Sequence, residues 1–230
     1  MHHWLPPQPV QFPHPEQANP DGLLAIGGDL TPDWLLLAYS WGIFPWFNAN
    51  DPILWWHPDP RFVLYPERIK VSKSMRPYFN QPKFKLTFDH AFEEVMRACG
   101  ETPRPYQGGT WITEDMIEAY CELHRLGFAH SVEVWEGEKL VGGLYGIALG
   151  KVFFGESMFA RVSNASKFGF ISLVRNLQAK GFELIDCQQE TPHLRSLGAE
   201  PISRKTFLEV LERNRELRVE AASWKEWMPA

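Results

Sequence analysis

The sequence predicts an α+β fold, a mixed sheet flanked by helices with a small unit ahead of it. Three observations predict it. Two capped, amphipathic helical stretches, "DHAFEEVMRACG" and "TEDMIEAYCELHRLG", come in succession. A run of strands parted by short turns comes next, from "SVEVW" through "LVGGLYGIAL" to "VFFGESMF". A helix, the strand "FELIDCQ" and a last helix end the pattern.

Composition permits such a core. The 230 residues are 44% hydrophobic and 22% charged, enough for one large domain or a main domain with a small attachment. No apolar run reaches the roughly 18 residues of a membrane span. The start, "MHHWLPPQPVQFPHP", has neither a basic n-region nor an apolar h-region, so no secretory signal is expected. Cys99, Cys121 and Cys187 are scattered, with no C-x-x-C pair, which fits free thiols in a reducing cytoplasm.

The net charge of −5 argues against a general nucleic-acid coat protein. The charge is uneven, however. Arg68, Lys70, Lys73, Arg76, Lys83 and Lys85 fall in one stretch without an acid. That stretch is either a local electropositive surface or simply a solvated face.

Residues 1–62 form a small Pro- and Trp-rich unit, with more than half of the nineteen prolines and six of the ten tryptophans. Thr31-Pro32 starts a helix there, over Trp34 to Tyr39, stopped near Gly42. The rest of the unit is turn-rich, and it is expected to pack on the larger part rather than stand alone. Residues 63–230 hold the main fold. "RFVLY" and "KFKLTF" read as strands. Asp89 is the expected N-cap of the first helix, with Phe92, Val95, Met96 and Cys99 inward and Gly100 at its end. Thr113 caps the second, with Met116, Ile117, Tyr120 and Leu123 on one face and Gly127 at the end. The helix after the meander starts near Asn164, buries Phe170, Ile171, Val174 and Leu177, and closes at Gly181. The last starts near Ser203.

This order is that of the acyl-CoA N-acyltransferase-like (GNAT) fold, whose central strands splay around a substrate. A CoA-binding member needs a glycine-rich loop after the central strand, whose bare amides cradle a pyrophosphate. Here that loop is "RVSNASK", with no glycine. A different acyl donor is expected.

Alternation places Leu184, Asp186 and Gln188 on one face of a strand, with Ile185 and Cys187 on the other. It places Phe154, Glu156 and Met158 together on the earlier strand. If the two strands are neighbours, Glu156, Asp186 and Gln188 converge on one cleft, and clustered carboxylates suit a cationic ligand or an amine. The alternative is that each carboxylate is paired, with Arg161, Lys167 or backbone amides.

Other candidates are weaker. Ser157 lacks an activating histidine and a G-x-S-x-G setting. Cys187 reads as a small core residue. His124 and His130 flank a helix end, and His2-His3 belongs to the terminus, so no metal is expected. Trp46, Trp55 and Trp56 are core residues, pocket walls or stacking surfaces for bases.

Several stretches together resemble one family: "GLLAIGGDL", "GIFPWF", "DPILWWHPDPR", "GTWITEDMIEAY", "AHSVEVWEGEKLVGGLYGIALG", "FFGESMF", "LIDCQ" and "SLGAEPISR". They run in order from Phe12 to Arg204. The chain is similar to the leucyl/phenylalanyl-tRNA–protein transferases, bacterial aminoacyltransferases. The resemblance implies a GNAT-like domain behind a small N-terminal domain. It implies transfer of leucine or phenylalanine from Leu-tRNA or Phe-tRNA to an N-terminal Arg or Lys, a tag for N-end degradation, with methionine as a further candidate donor. No cofactor is expected, since the donor is an activated ester. A monomer in the cytoplasm, off the membrane, is expected.

By that resemblance the donor pocket maps to Trp46, Trp111, Tyr120, Phe153, Met158 and Ile185, with Gly155 and Ser157 nearby, and the reaction centre to Glu156, Asp186 and Gln188. In one account of the family, the Gln188 oxygen, polarised by Asp186, takes the amine proton. An amide is a very poor base, so a Gln188 that holds the amine is the better expectation. Lys73, Arg76, Lys83 and Lys85 are the candidate tRNA contacts. One departure is Thr191, where better-known members carry asparagine. Two readings of other classes stay open: a non-catalytic module that binds peptide N-termini or charged tRNA, and an acyl-CoA acetyltransferase.

Overall fold

The computed structural model describes residues 3–6, 8–81, 83–102, 110–217 and 222–227. His2 lies outside them. In chain order the elements are β1 (His3–Leu5), β2 (Leu23–Gly27), α1 (Pro32–Ser40), β3 (Phe44–Pro45), β4 (Leu54–Trp56), β5 (Arg61–Leu64), α2 (Arg76–Asn80), β6 (Lys85–Phe88), α3 (Phe92–Glu101), α4 (Glu114–Arg125), β7 (Ala129–Glu136), β8 (Lys139–Leu149), β9 (Val152–Ala160), α5 (Ala165–Ala179), β10 (Leu184–Asp186), α6 (Pro192–Ser196), β11 (Glu200–Ile202) and α7 (Arg204–Arg215).

Among the described residues these strands make two sheets. The small one has the order β1-β2-β4-β3, the large one β11-β5-β10-β9-β8-β7-β6. β9 and β10 run parallel, joined through α5, and the other pairs of the large sheet are antiparallel. The chain thus forms the expected α+β arrangement, a mixed sheet flanked by helices. β5 already belongs to the large sheet, so the chain changes sheets between Trp56 and Arg61.

The two units share a core. Trp34, Tyr39 and Trp55 bury into the same cluster as Val95, Met116, Tyr120, Phe154 and Phe207. Burying a side chain of that size contributes about 1.5–3 kcal/mol, and the first unit gains it against the large sheet. The other face of the sheet buries Phe153, Phe168, Ile171, Val174 and Leu177 under α5.

Helix starts match the sequence unevenly. Thr113 and Ser203 accept from the backbone N–H of Met116 and Thr206, as N-caps should. Thr31 and Asn164 hold the cap position without a side-chain bond, and Asn164 donates to the Tyr78 hydroxyl at 3.1 Å instead. Asp89 does not cap α3. It is buried at φ +62°, accepts from the N–H groups of Ser131 and Trp224, and faces His130 Nδ1 at 2.9 Å. The α3 entrance is served by Glu133, from β7, which accepts the Ala91 N–H at 3.3 Å. A residue on a neighbouring strand does the capping, which local sequence cannot show. Gly100 lies inside α3, which runs to Glu101.

The feature that shapes the site is a bulge in β9. Tyr145 pairs with Ser157 and Gly146 with Gly155, so Glu156 has no partner on β8. The extra residue breaks the expected alternation. Phe154 stays in the cluster of Tyr39 and Tyr120, while Met158 packs with the opposite cluster, beside Phe153. Gly146 opposite the bulge has no room for a side chain: a Cβ there would lie 2.2 Å from the Phe154 carbonyl oxygen. Gly146→Ala is therefore expected to force β8 from β9, destabilising the fold by about 1–3 kcal/mol. Urea denaturation checks this, and a variant as stable as the parent would contradict it.

Candidate active site

A cavity of about 430 Å³ opens beside the bulge, between β9, the end of β10 and the segments carrying Trp46 and Trp111. Leu144, Met158, Phe170 and Ile185 complete its apolar wall with those two tryptophans, and Glu156, Ser157, Asp186 and Gln188 make its polar side. Wall and floor result from the parallel pairing. Ile185 sits opposite Phe153 and Asp186 opposite Phe154, so the last residues of β10 reach the bulge of β9.

The expected convergence is present, by a different route. β10 ends at Asp186, and Gln188 lies beyond it at φ +62°, off the strand alternation. That backbone state is uncommon outside glycine and costs of order 1–3 kcal/mol. Asp186 Oδ1 holds it by accepting the Gln188 N–H at 2.8 Å. The Gln188 side chain then donates to Glu156 Oε1 at 2.7 Å.

Asp186 is paired, though not with Arg161 or Lys167. Arg61 of β5 donates from Nε to Oδ1 at 2.8 Å and from Nη2 to Oδ2 at 2.6 Å. Both side chains are buried, and the guanidinium stacks between the rings of Phe44 and Phe207, at 4.9 and 4.8 Å. Arg161 reaches Glu101 and the Leu140 carbonyl.

Glu156 is the carboxylate left for chemistry. Burial pushes its carboxyl up to about 8; nearby Asp186 adds to this, while bonds from Tyr39 and Gln188 and the Arg61 cation oppose it. The Tyr120 hydroxyl lies 3.5 Å from Oε2 and also meets the Tyr39 hydroxyl. Burial, with Glu156 next to them, holds both phenols well above their usual range. Burial also raises the Cys187 thiol, which suits an inert residue.

The remaining expected residues divide. Gly155, Ser157, Met158, Ile185, Trp46 and Trp111 line the cavity. Tyr120 and Phe153 are fully buried; Tyr120 supports Glu156 from below, and Phe153 packs at 5.9 Å from Trp224. Trp55 is core, and Trp56 donates to the Trp46 carbonyl, fixing that wall residue. Thr191 lines the cavity and caps α6 by accepting from Leu194 N–H. His130 stacks on Trp224 at 3.8 Å as a core histidine. Sequence reasoning missed Arg61, Tyr39, Phe44 and His193. A charge at the head of the apolar "RFVL" was the available signal for the first.

Lys73, Arg76, Lys83 and Lys85 are exposed, and none meets a carboxylate among the described residues. Their segment docks on α5: Phe79 packs on Phe168 at 5.0 Å, and the Arg175 guanidinium covers Phe79 at 4.3 Å. The same helix supplies Phe170 to the cavity.

The family profile described as leucyl/phenylalanyl-tRNA protein transferase matches residues 63–212, and the profile of its N-terminal domain matches residues 28–59. The chain belongs to this transferase family. Curated relatives of that name agree. One from Pseudomonas fluorescens is 56% identical over 92% of this chain and 94% of its own. One from Christiangramia forsetii is 59% identical over 87% of this chain and 96% of its own. Among solved structures, a GCN5-related N-acetyltransferase from Kribbella flavida is similar over 75% of this chain and 61% of its own, at 13% identity and a TM-score of 0.35. The transferase is thus an enzyme of the aminoacyltransferase class, acting on aminoacyl-tRNA. No helix among its described residues is long and apolar enough to cross a membrane.

Proposed function

We propose that the enzyme transfers leucine or phenylalanine, with methionine as a further donor, from aminoacyl-tRNA to an N-terminal Arg or Lys of acceptor proteins, marking them in the cytoplasm for N-end degradation. One observation carries the reading: an apolar cavity that ends on Glu156, bonded to Gln188. The donor side chain fills the wall of Trp46, Trp111, Met158 and Ile185. The donor ester carbonyl and the acceptor α-amine meet at Glu156 and Gln188.

These groups supply the chemistry. The acceptor α-amine, of ordinary pKa about 7.7–8.0, must lose a proton to attack. That first proton goes to solvent; ionised Glu156, held up to about 8, is matched to take the second, which the nitrogen sheds as the amide forms. Gln188 spends its N–H on Glu156 and leaves its carbonyl oxygen to accept an N–H of the amine. The neutral amine nitrogen bonds to the ester carbon and gives one of its two protons to ionised Glu156. The bond to the tRNA 3′-oxygen breaks, and the proton held by Glu156 passes to that oxygen, leaving an amide with one N–H and a free 3′-hydroxyl. Asp186, committed to Arg61 and the Gln188 backbone, holds the frame. Gln188→Ala is expected to lower kcat at saturating substrates, and near-normal turnover would remove Gln188 from the mechanism.

Labelled Phe-tRNA mixed with the enzyme and an Arg-starting peptide tests the function. Label on the peptide supports transfer. A peptide that binds without gaining label supports a recognition module instead, and tight CoA binding by calorimetry would revive the acetyltransferase reading. The basic segment is proposed as the tRNA surface. Changing Lys73, Arg76, Lys83 and Lys85 to glutamate is expected to raise KM for aminoacyl-tRNA about tenfold or more and flatten its salt dependence. Unchanged affinity would move the tRNA elsewhere.

A further inference from the structure

Arg61 is the buried charge that the reaction above does not use. It lies beneath the floor of the cavity, on β5, between the rings of Phe44 and Phe207. Among the described residues Asp186 is its only carboxylate partner. The neighbouring His57 is buried and neutral, its ring pushed down to about 2 by burial and by the Arg61 and Arg204 charges.

Four bonds lead from this guanidinium to the reacting groups. Arg61 grips Asp186 through two parallel N–H bonds, an arrangement that fixes the carboxylate plane as a single contact would not. Asp186 Oδ1 accepts the Gln188 N–H, and Gln188 donates to Glu156. The strand that carries Arg61 also clamps the intervening chain, since the Phe62 carbonyl accepts the Cys187 N–H at 2.9 Å.

We infer that Arg61 is a positioning residue of the transfer reaction: through Asp186 it places the Gln188 amide against Glu156, and it cancels the Asp186 charge that Glu156 would otherwise face. The inference rests on the transfer reading. Asp186 on this view is neither a base nor a polariser of the Gln188 side chain. Its two oxygens are occupied, one of them by the backbone of Gln188. Among the described residues four charged or titratable groups act on Glu156, namely Tyr39 from α1, Tyr120 from α4, Arg61 from β5 and Asp186 from β10, and the uncharged Cys187 and His193 also line its cavity. Arg61 is the only cation of the four, so its removal acts on Glu156 in one direction.

Three variants test this: Arg61→Met, Asp186→Asn and the two together. Carbon-13 NMR of carboxyl-labelled glutamate tracks Glu156 without any substrate, with Glu156→Gln to identify its signal. In Arg61→Met the Glu156 midpoint moves upward, because the cation is gone and Asp186 stands uncancelled. In the double variant it returns toward the parent, because both charges are gone. In single-turnover transfer, Arg61→Met loses about tenfold or more in rate with KM for aminoacyl-tRNA within about threefold. The double variant recovers most of that rate, since the side-chain carbonyl oxygen of the introduced asparagine still accepts the Gln188 N–H. A parent-like titration in folded Arg61→Met, or a double variant as slow as the single, overturns the inference. Should Arg61→Met fail to fold, the double variant decides alone. A parent-like midpoint with a rate within about tenfold of the parent supports the inference, and a rate as low as that of Gln188→Ala overturns it. A parent enzyme that transfers no amino acid would sink the reaction reading and leave the titration result standing.

Discussion

Glu156→Gln is expected to lower the transfer rate by about 10²–10³-fold, within the range general acid–base groups contribute. The replacement keeps the shape of the side chain and an oxygen for the Gln188 N–H, so the loss reports on the proton. The pH dependence separates this from damage to the pocket. In the parent two groups must lose a proton as pH rises toward 8: the acceptor amine and Glu156. The logarithm of the single-turnover rate at low pH therefore climbs with a slope near two. In the variant only the amine remains, and the slope falls to one. A variant with the parent's slope would remove Glu156 from the chemistry. Stability moves the other way. Glu156 binds its proton more tightly folded than unfolded, so its contribution is fully present below the unfolded value and is lost as pH rises through about 8. The parent is thus expected to lose stability between pH 5 and 8 relative to Glu156→Gln. The gap should reach about 1 kcal/mol or more by thermal melts at the alkaline end.

Asp186→Ala is the second large effect, and it falls on the fold. Truncation leaves the Arg61 guanidinium buried between Phe44 and Phe207 with no counter-charge. Breaking a buried pair from one side costs about 3–5 kcal/mol. For a chain of this length that lowers Tm by roughly 6–20 °C. It also releases the Gln188 N–H, so the left-handed backbone there loses its restraint. Asp186→Asn keeps the acceptor and is expected to lose less than the alanine variant. Differential scanning calorimetry checks both. An alanine variant within about 1 kcal/mol of the parent would show that water reaches Arg61 on opening of the cavity.

Both predictions concern groups whose type was legible in the sequence and whose partners were not. The carboxylates of "FFGESMF" and "LIDCQ" stand out against apolar flanks, because a buried charge needs a reason. Periodicity placed the helices and the meander, since each buries one face. Periodicity also misled. It put Met158 on the face of Phe154, and the bulge at Glu156 moved it to the other. It put Gln188 on a strand that ends two residues earlier.

Sequence alone determined the features that local order sets: the helices between Phe92 and Arg125, the turns of the meander, the apolar faces, and the family through its joint set of stretches. Tertiary structure alone decided the partners. Arg61 and Asp186 are 125 residues apart, and Glu156 lies on β9 while Gln188 follows the end of its parallel partner β10. A pairing across such distances is set by the register of whole strands and by where a bulge falls. Neither is written in the few residues on each side of a charge.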